Sequence, residues 1–425
     1  MTLHSPDLTA QIRNRFAHVD ACPFTGPRIF FENAGGALTL KSVVDTSATY
    51  AAVPDNQGRD NPASAALSEV IAQAEEDMRL FFNAQAGRFM VGESGTELLF
   101  RLIRTAVSNV AKGAVLGSTV EHPASRSAAQ HWAQQMKMPY ISVPHNDATG
   151  QVTAEAYGKA LHPEVRVATI LHTSPVTGIA NDVAEIAATI RAAAPEAFII
   201  VDGIQHASHG AIDIYSYNID GYVVSPYKMF SRHGYGVAWA SDRLTSAGIE
   251  TLLGGPNGNW SLGTRDTGAY ATFSDVVTYL TWLGGQVSQE HAPRARLRAA
   301  SASVKAHEAA LTHAMLHGVD NLAGIADLPG ACVLGGLENP DREGLVCFAL
   351  ADHPAAEIVT ALNARGIRTH LRRADHYSGN ILTPLGMKAA VRVSLCHYNT
   401  MDEVRALLTA LKEIAPPAHS TSSFC

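Results

Sequence analysis

Between residues 88 and 240 the chain alternates short β-branched runs with longer stretches of helical period, and nothing else restricts its fold so strongly. Candidate strands fall at 88–91, 114–118, 140–143, 165–171, 197–201, 221–224 and 236–240, with amphipathic stretches at 97–110, 125–138 and 183–194. Such alternation predicts an α/β fold: a mostly parallel, doubly wound sheet of seven strands, with helices on both faces. Long helices rich in Ala and Leu are expected at 269–286 and 293–317. Further strands at 344–349, 366–370 and 390–395 interleave with helices at 355–365 and 401–414. The economical division is an N-terminal arm over 1–30, a large domain over 31–290, a smaller C-terminal α/β domain over 291–415 and a flexible tail over 416–425.

A chain of 425 residues is long enough for two to three domains and a sizeable core. Only 17% of it is charged, against about 25% in an average soluble protein, which suits a bulky interior or an oligomer and opposes disorder. With 32 Lys+Arg against 39 Asp+Glu and no basic run, neither nucleic acid nor anionic lipid is an expected partner. No stretch reaches the ~18 apolar residues of a membrane span, and the start lacks the basic-then-apolar pattern of a signal peptide. Five cysteines without CxxC spacing point to a reducing cytoplasm, and 19 histidines without HExxH spacing point to no metal.

Ligands in open α/β sheets bind beyond the carboxyl ends of the strands. Five candidate strands end there in polar or reactive residues: GESGTE (92–97), STVEHP (118–123), HTSP (172–175), VDGIQH (201–206) and VSPYK (224–228). Asp202 and Lys228 each stand just past a β-branched run. Either alone has an ordinary reading, as a loop cap or a solvated strand end. Together they meet the two demands of pyridoxal phosphate, an amine for its carbonyl and an anion for its protonated ring nitrogen. That charge-assisted contact is worth roughly 1.5–3 kcal/mol. A phosphate dianion needs donors, and Ser94, Gly95 and Thr96 lead into a helix whose free N–H groups and dipole favour an anion. They also read as a capping box, which is compatible. Ser225 and Tyr227 flank the lysine with further hydroxyls. GESGT is not GxSxG, no GK[ST] is present and GYGVAW is not GxGxxG, so hydrolase, P-loop and dinucleotide readings fall.

The segments HTSPVTG, VDGIQHASHGAIDI, SPYKMFSRHGYGVAW, LGTRDTG and VRVSLCHYNTMDEV together resemble the class V aminotransferase family, in particular its cysteine desulfurase-like and selenocysteine lyase-like branch. The likeness runs from FFENAGG (30–36) to the C-terminal helix. It implies the type I pyridoxal-phosphate fold and a homodimer with sites at the subunit interface. By resemblance, Lys228 is the Schiff-base lysine, Asp202 the pyridinium partner, Gln205 the donor to the phenolic oxygen and His122 the imidazole stacked on the ring. Lys228, His122 and Asp202 form the implied catalytic set. Gly95, Thr96 and Ser225 match phosphate contacts, and Thr264 matches one donated by the other subunit. Arg392 matches the arginine that grips the substrate carboxylate, a task suited to its planar fork. Asn33 lies in the segment that lines the family's site.

Departures from the family pattern narrow the chemistry. Pro175 stands where many relatives carry Asn, so Ser174 or Thr173 is expected to contact the cofactor oxygen. Tyr227 replaces the usual His before the lysine. The loop 368–382, RTHLRRADHYSGNIL, has no cysteine where desulfurases hold their sulfur-accepting one. Cys347 and Cys396 read as buried packing residues, while Arg372, Arg373, His376 and Tyr377 are expected to shape substrate choice. Loss of a β-substituent makes such an enzyme a lyase, whereas protonation at the cofactor carbon or at Cα makes it an aminotransferase or an epimerase. The branch resemblance favours a desulfurase-like lyase acting on a C–S or related bond of a small amino acid. An aminotransferase or epimerase stands second. A non-catalytic binding protein of the same fold stands third, and the intact Lys228, Asp202 and Gln205 oppose it.

Overall fold

A computed structural model describes residues 3–254, 260 and 263–415; the tail expected over 416–425 lies outside them. Seven strands build the large sheet: β1 (Arg88–Gly92), β2 (Ala114–Ser118), β3 (Tyr140–Val143), β4 (Val165–Leu171), β5 (Phe198–Asp202), β6 (Gly221–Val224) and β7 (Gly236–Ala240). Their order is β1-β7-β6-β5-β4-β2-β3, and β7 is the one strand that runs against the rest. The central strands are buried along both faces, so their alternation separates two apolar sides rather than a wet side from a dry one. Val115, Val167, Ile200, Val223 and Ala238 share one core with Leu98 and Leu102 of α1 (Gly95–Ser108) and Ala128 of α2 (Pro123–Gln135). Leu116, Ala168, Ile199, Val201 and Val237 face the other way, toward Ile186 of α3 (Val183–Ala193) and Phe273 of α4 (Thr267–Val287). Each such aliphatic side chain contributes about 1.5–3 kcal/mol by leaving water.

A second sheet, wholly antiparallel, has the order β8 (Ala331–Val333), β9 (Leu345–Leu350), β11 (Ala389–Ser394), β10 (His370–Arg373). Val346, Phe348, Val391 and Val393 pack there against Leu311 and Met315 of α5 (Pro293–His317), Ile358 of α6 (Ala355–Ala364) and Leu407 of α7 (Met401–Ile414).

The strand expected at 366–370 is two strands. Ile367–Arg368 pairs in parallel with Ile29–Phe30, and β10 then pairs with β11. Gly366 turns the chain at φ +74°, and its carbonyl accepts the Ile29 N–H, so the N-terminal segment competes for this edge. The sequence reading also passed over the helices Lys41–Ala51, Pro62–Phe82 and Ala154–Ala160. No helix among the described residues is long and apolar enough to cross a membrane.

Candidate active site

Because six strands of the large sheet share one direction, their carboxyl ends share one edge, and a cavity opens there. The five expected strand endings all reach it. Thr96 comes from the β1 ending, His122 from β2, Thr173 and Pro175 from β4, Asp202, Ile204 and Gln205 from β5, and Ser225, Tyr227 and Lys228 from β6.

Lys228 ends a single 3-10 turn after β6 and is 9% exposed, with its Nζ donating to Gln205 Oε1 at 3.3 Å. Burial, then the positive charges of Arg392 and Arg372, pull its pKa down to about 7 against the attraction of Asp202. The amine is therefore largely uncharged just above neutrality, as a nucleophile or base needs. Asp202 closes β5 and is buried; its Oδ1 accepts the Ile204 N–H at 3.1 Å. Burial pushes its carboxyl up to about 6, against the pull of that N–H and of Lys228. Among the described residues nothing donates to its second oxygen, so a cationic N–H in the cavity would both satisfy it and restore its charge.

His122 is the N-cap of α2, and its Nδ1 accepts the Ala124 N–H at 3.2 Å. Burial first, then Lys228 and Arg372, lower its pKa to about 3, so it presents a neutral ring. Beside it Glu121, which the sequence reading left without a role, is buried and accepts from Ser125 Oγ. Burial drives its carboxyl up to about 7 despite that bond, and Asp202 adds to the rise.

The donor set fits pyridoxal phosphate. Ser94 caps α1 by accepting the Glu97 N–H, which leaves the N–H groups of Gly95 and Thr96 free beside Ser225. A Cβ at position 95 would strike Ser225 Oγ and lie 2.7 Å from Ile204 Cδ1. Such a cradle suits an anion rather than a side chain. The amine of Lys228, the open carboxylate oxygen of Asp202 and the neutral ring of His122 supply what the rest of the cofactor needs.

Other expected residues lie outside the cavity. Ser174 turns into its own loop, accepting the Val176 and Thr177 N–H groups, and Thr173 reaches the cavity in its place. Arg392 is buried on β11 and donates from Nη1 to the Pro175 carbonyl at 3.0 Å. Asn33 is buried behind β11, donating to the Ser394 carbonyl at 2.8 Å and accepting from Tyr398. His376 is exposed, and its carbonyl accepts from Arg126 Nη2 at 3.0 Å. Thr264 is exposed. The sequence reading missed His209 and Glu308, a buried pair joined at 2.7 Å directly behind Gln205. His209 follows Gln205 by four residues, a visible spacing, whereas nothing local marks Glu308 on α5.

Several known proteins are similar to this chain. It is 24% identical to the cysteine desulfurase-like protein ustD of Aspergillus flavus, over 92% of this chain and 88% of the relative. It is 25% identical to a cysteine desulfurase of an Enterobacter species, over 91% and 93% of the two chains. Among solved structures, the cysteine desulfurase CsdA of Escherichia coli superposes with a TM-score of 0.78 at 21% identity, covering 97% of this chain and 99% of that one. The cysteine desulfurase of Thermococcus onnurineus gives 0.80 at 17%, with the same coverage. The expected type I fold is thus present. With residues 29–407 matching the aminotransferase class-V model, the chain belongs to that family and is a pyridoxal phosphate-dependent enzyme.

Proposed function

We propose that the protein is a desulfurase-like lyase that breaks a C–S or related bond at Cβ of a small amino acid without a protein cysteine as sulfur acceptor. One observation carries this reading: the cavity that joins Lys228 to Asp202 is lined by no cysteine among the described residues. The buried cysteines of the small domain are unsuited. Cys347 lies opposite Arg392 in the small sheet, and burial holds its thiol up at about 11 against the pull of Arg372 and Arg392. Cys396 is buried, and its thiol is likewise held protonated. A thiol that stays protonated neither attacks sulfur nor carries a persulfide.

Pyridoxal phosphate, when bound, supplies an electron sink that makes the Cα proton of an amino acid removable. Lys228 would hold the cofactor through its amine and, once the amine of the substrate has displaced it, would be free to take the Cα proton, which its lowered pKa suits. Asp202 would keep the ring nitrogen protonated, and His122 would offer the ring a neutral imidazole. Gln205 would serve the phenolic oxygen, with Thr173 supplying a second hydroxyl in the cavity. Gly95, Thr96 and Ser225 hold the phosphate. Thr264, exposed and outside its own cavity, serves the partner's phosphate site in a cytoplasmic homodimer. Arg392 grips the substrate carboxylate, Asn33 fixes the strand end after it, and His376 borders the substrate. In this reading the small domain over 291–415 delivers Arg392 and the loop 368–382 to the strand ends of the large one.

The test is a product assay over a panel of amino acids. Sulfide or ammonia with a keto acid is expected. Cofactor recovered as its amine, and restored by a keto acid, would establish an aminotransferase instead. Lys228→Ala should remove the visible absorbance of the loaded protein.

A further inference from the structure

Four buried side chains form an unbroken line from the active amine into the core. Lys228 Nζ donates to Gln205 Oε1 at 3.3 Å, Gln205 Nε2 lies 3.3 Å from His209 Nε2, and His209 Nδ1 lies 2.7 Å from Glu308 Oε2. Gln205, His209 and Glu308 are each 4% exposed or less. Among the described residues Glu308 Oε1 has no hydrogen-bond partner, and His209 is the one side chain bonded to this buried carboxylate. The function proposed above uses only the first two members of this line.

Burial raises the pKa of Glu308, against the charge and hydrogen bond of His209; as a carboxylate it only accepts, so the Nδ1 of His209 then carries a proton, and what varies is its Nε2. When Nε2 is bare it accepts a Gln205 N–H, and the amide turns its carbonyl to Lys228, where an ammonium donates to it. When Nε2 is protonated it donates to Gln205 Oε1, and the amide turns its NH2 toward the cavity. That NH2 repels an ammonium and welcomes an anionic oxygen. The planar amide thus has two faces, and the proton on His209 selects between them.

We propose that His209, clamped by Glu308, is a positioning residue that sets which face of the Gln205 amide meets the cofactor, so that protonation of His209 and the charge beside Lys228 are coupled. The inference rests on the reading that the cavity takes pyridoxal phosphate, whose phenolic oxygen is the anionic acceptor that favours the protonated arrangement. The groups that face His209 are Glu308 on α5, Glu343 just before β9, Lys228 after β6 and His397 after β11. Burial lowers the basicity of His209, but the charge and hydrogen bond of Glu308 outweigh it, and Glu343 adds to the rise against the opposition of Lys228. The net direction is upward, so at a given pH the protonated arrangement is more populated than for a free imidazole.

The experiment is a pH titration of the visible absorbance of the cofactor-loaded protein, with far-ultraviolet circular dichroism to verify folding. Wild type should show a spectral step that follows His209. Glu308→Gln removes the carboxylate that raises His209, so the step should move to lower pH by about one unit, a tenfold loss of proton affinity. His209→Asn, which keeps an amide N–H for Glu308, should abolish the step while the band remains. A wild type with no step, or a step unmoved in both folded variants, would overturn the coupling. A wild type with no visible band at all would instead remove the proposed function, and this inference with it.

Discussion

The guanidinium groups of Arg372 and Arg392 converge on one acceptor, donating to the carbonyl oxygen of Pro175 at 3.2 and 3.0 Å. They come from neighbouring strands, where Arg372 pairs with Ala390, two residues before Arg392. Among the described residues each Nε lacks a partner, and burial followed by Arg372 lowers the pKa of Arg392 to about 9. Glu32 is nearby, but its oxygens are engaged by Arg368 and His370. A carbonyl dipole is a poor counterweight for two cations, so the pair is set to gain from an incoming anion.

Arg392→Met should therefore raise the dissociation constants of amino acids by about 10- to 100-fold, in line with the loss of a charge-assisted bond. Pyridoxal phosphate affinity should change by less than about threefold, because the arginine lies outside its cradle. Arg372→Met should weaken amino acids with acidic side chains more than alanine, since one guanidinium suffices for one carboxylate. Spectral titration of the loaded variants reads all three constants.

Gly95→Ala tests the phosphate cradle. Its added methyl would contact Ser225 Oγ and Ile204, in the space the phosphate is expected to fill. Cofactor affinity should fall by about tenfold or more, whereas urea stability should change by only about 1–2 kcal/mol. Equal losses in both would mean that the glycine serves packing alone.

Cys347→Ala separates a desulfurase with a hidden nucleophile from a lyase that needs none. Burial keeps this thiol protonated, so product formation should stay within about twofold of wild type. Stability should drop by about 1 kcal/mol through lost packing. Loss of sulfide release with the fold intact would return the sulfur-accepting role to this cysteine.

Lys228 should also govern stability as a function of pH in the cofactor-free protein. Its pKa falls from an ordinary 10.5 to about 7 on folding, mainly through burial. Below pH 7 both states are protonated, and the native state bears the full cost of a buried ammonium. Between pH 7 and 10.5 the unfolded state binds the extra proton, so stability rises with pH. Lys228→Met should be more stable than wild type by up to roughly 5 kcal/mol near pH 6, with the gap closing toward pH 10. Urea unfolding at several pH values measures it; a constant gap would show that burial does not perturb the amine.

Local pattern determined the large sheet and the place where chemistry gathers. Strand–helix alternation located β1 to β7 to within a residue or so, because each strand is short, β-branched and closed by a turn. The carboxyl-end rule then brought Thr96, His122, Thr173, Asp202, Gln205, Ser225 and Lys228 to one cavity without any knowledge of packing. Pro62–Phe82 was legible in principle, with Asn61 as N-cap, proline at its start and a left-handed Asn83 at its end. Tertiary structure alone decided the partners of those residues. The split at Gly366 depends on which strand wins the edge at Ile29–Phe30, a contest between segments hundreds of residues apart. Glu308 meets His209, and Arg372 and Arg392 meet Pro175, only because α5 and the small sheet fold onto the strand ends. Sequence carries backbone propensity and strand endings because these are local. The charge state of each buried group is set by whatever lies within a few ångströms, and only the folded chain chooses those neighbours.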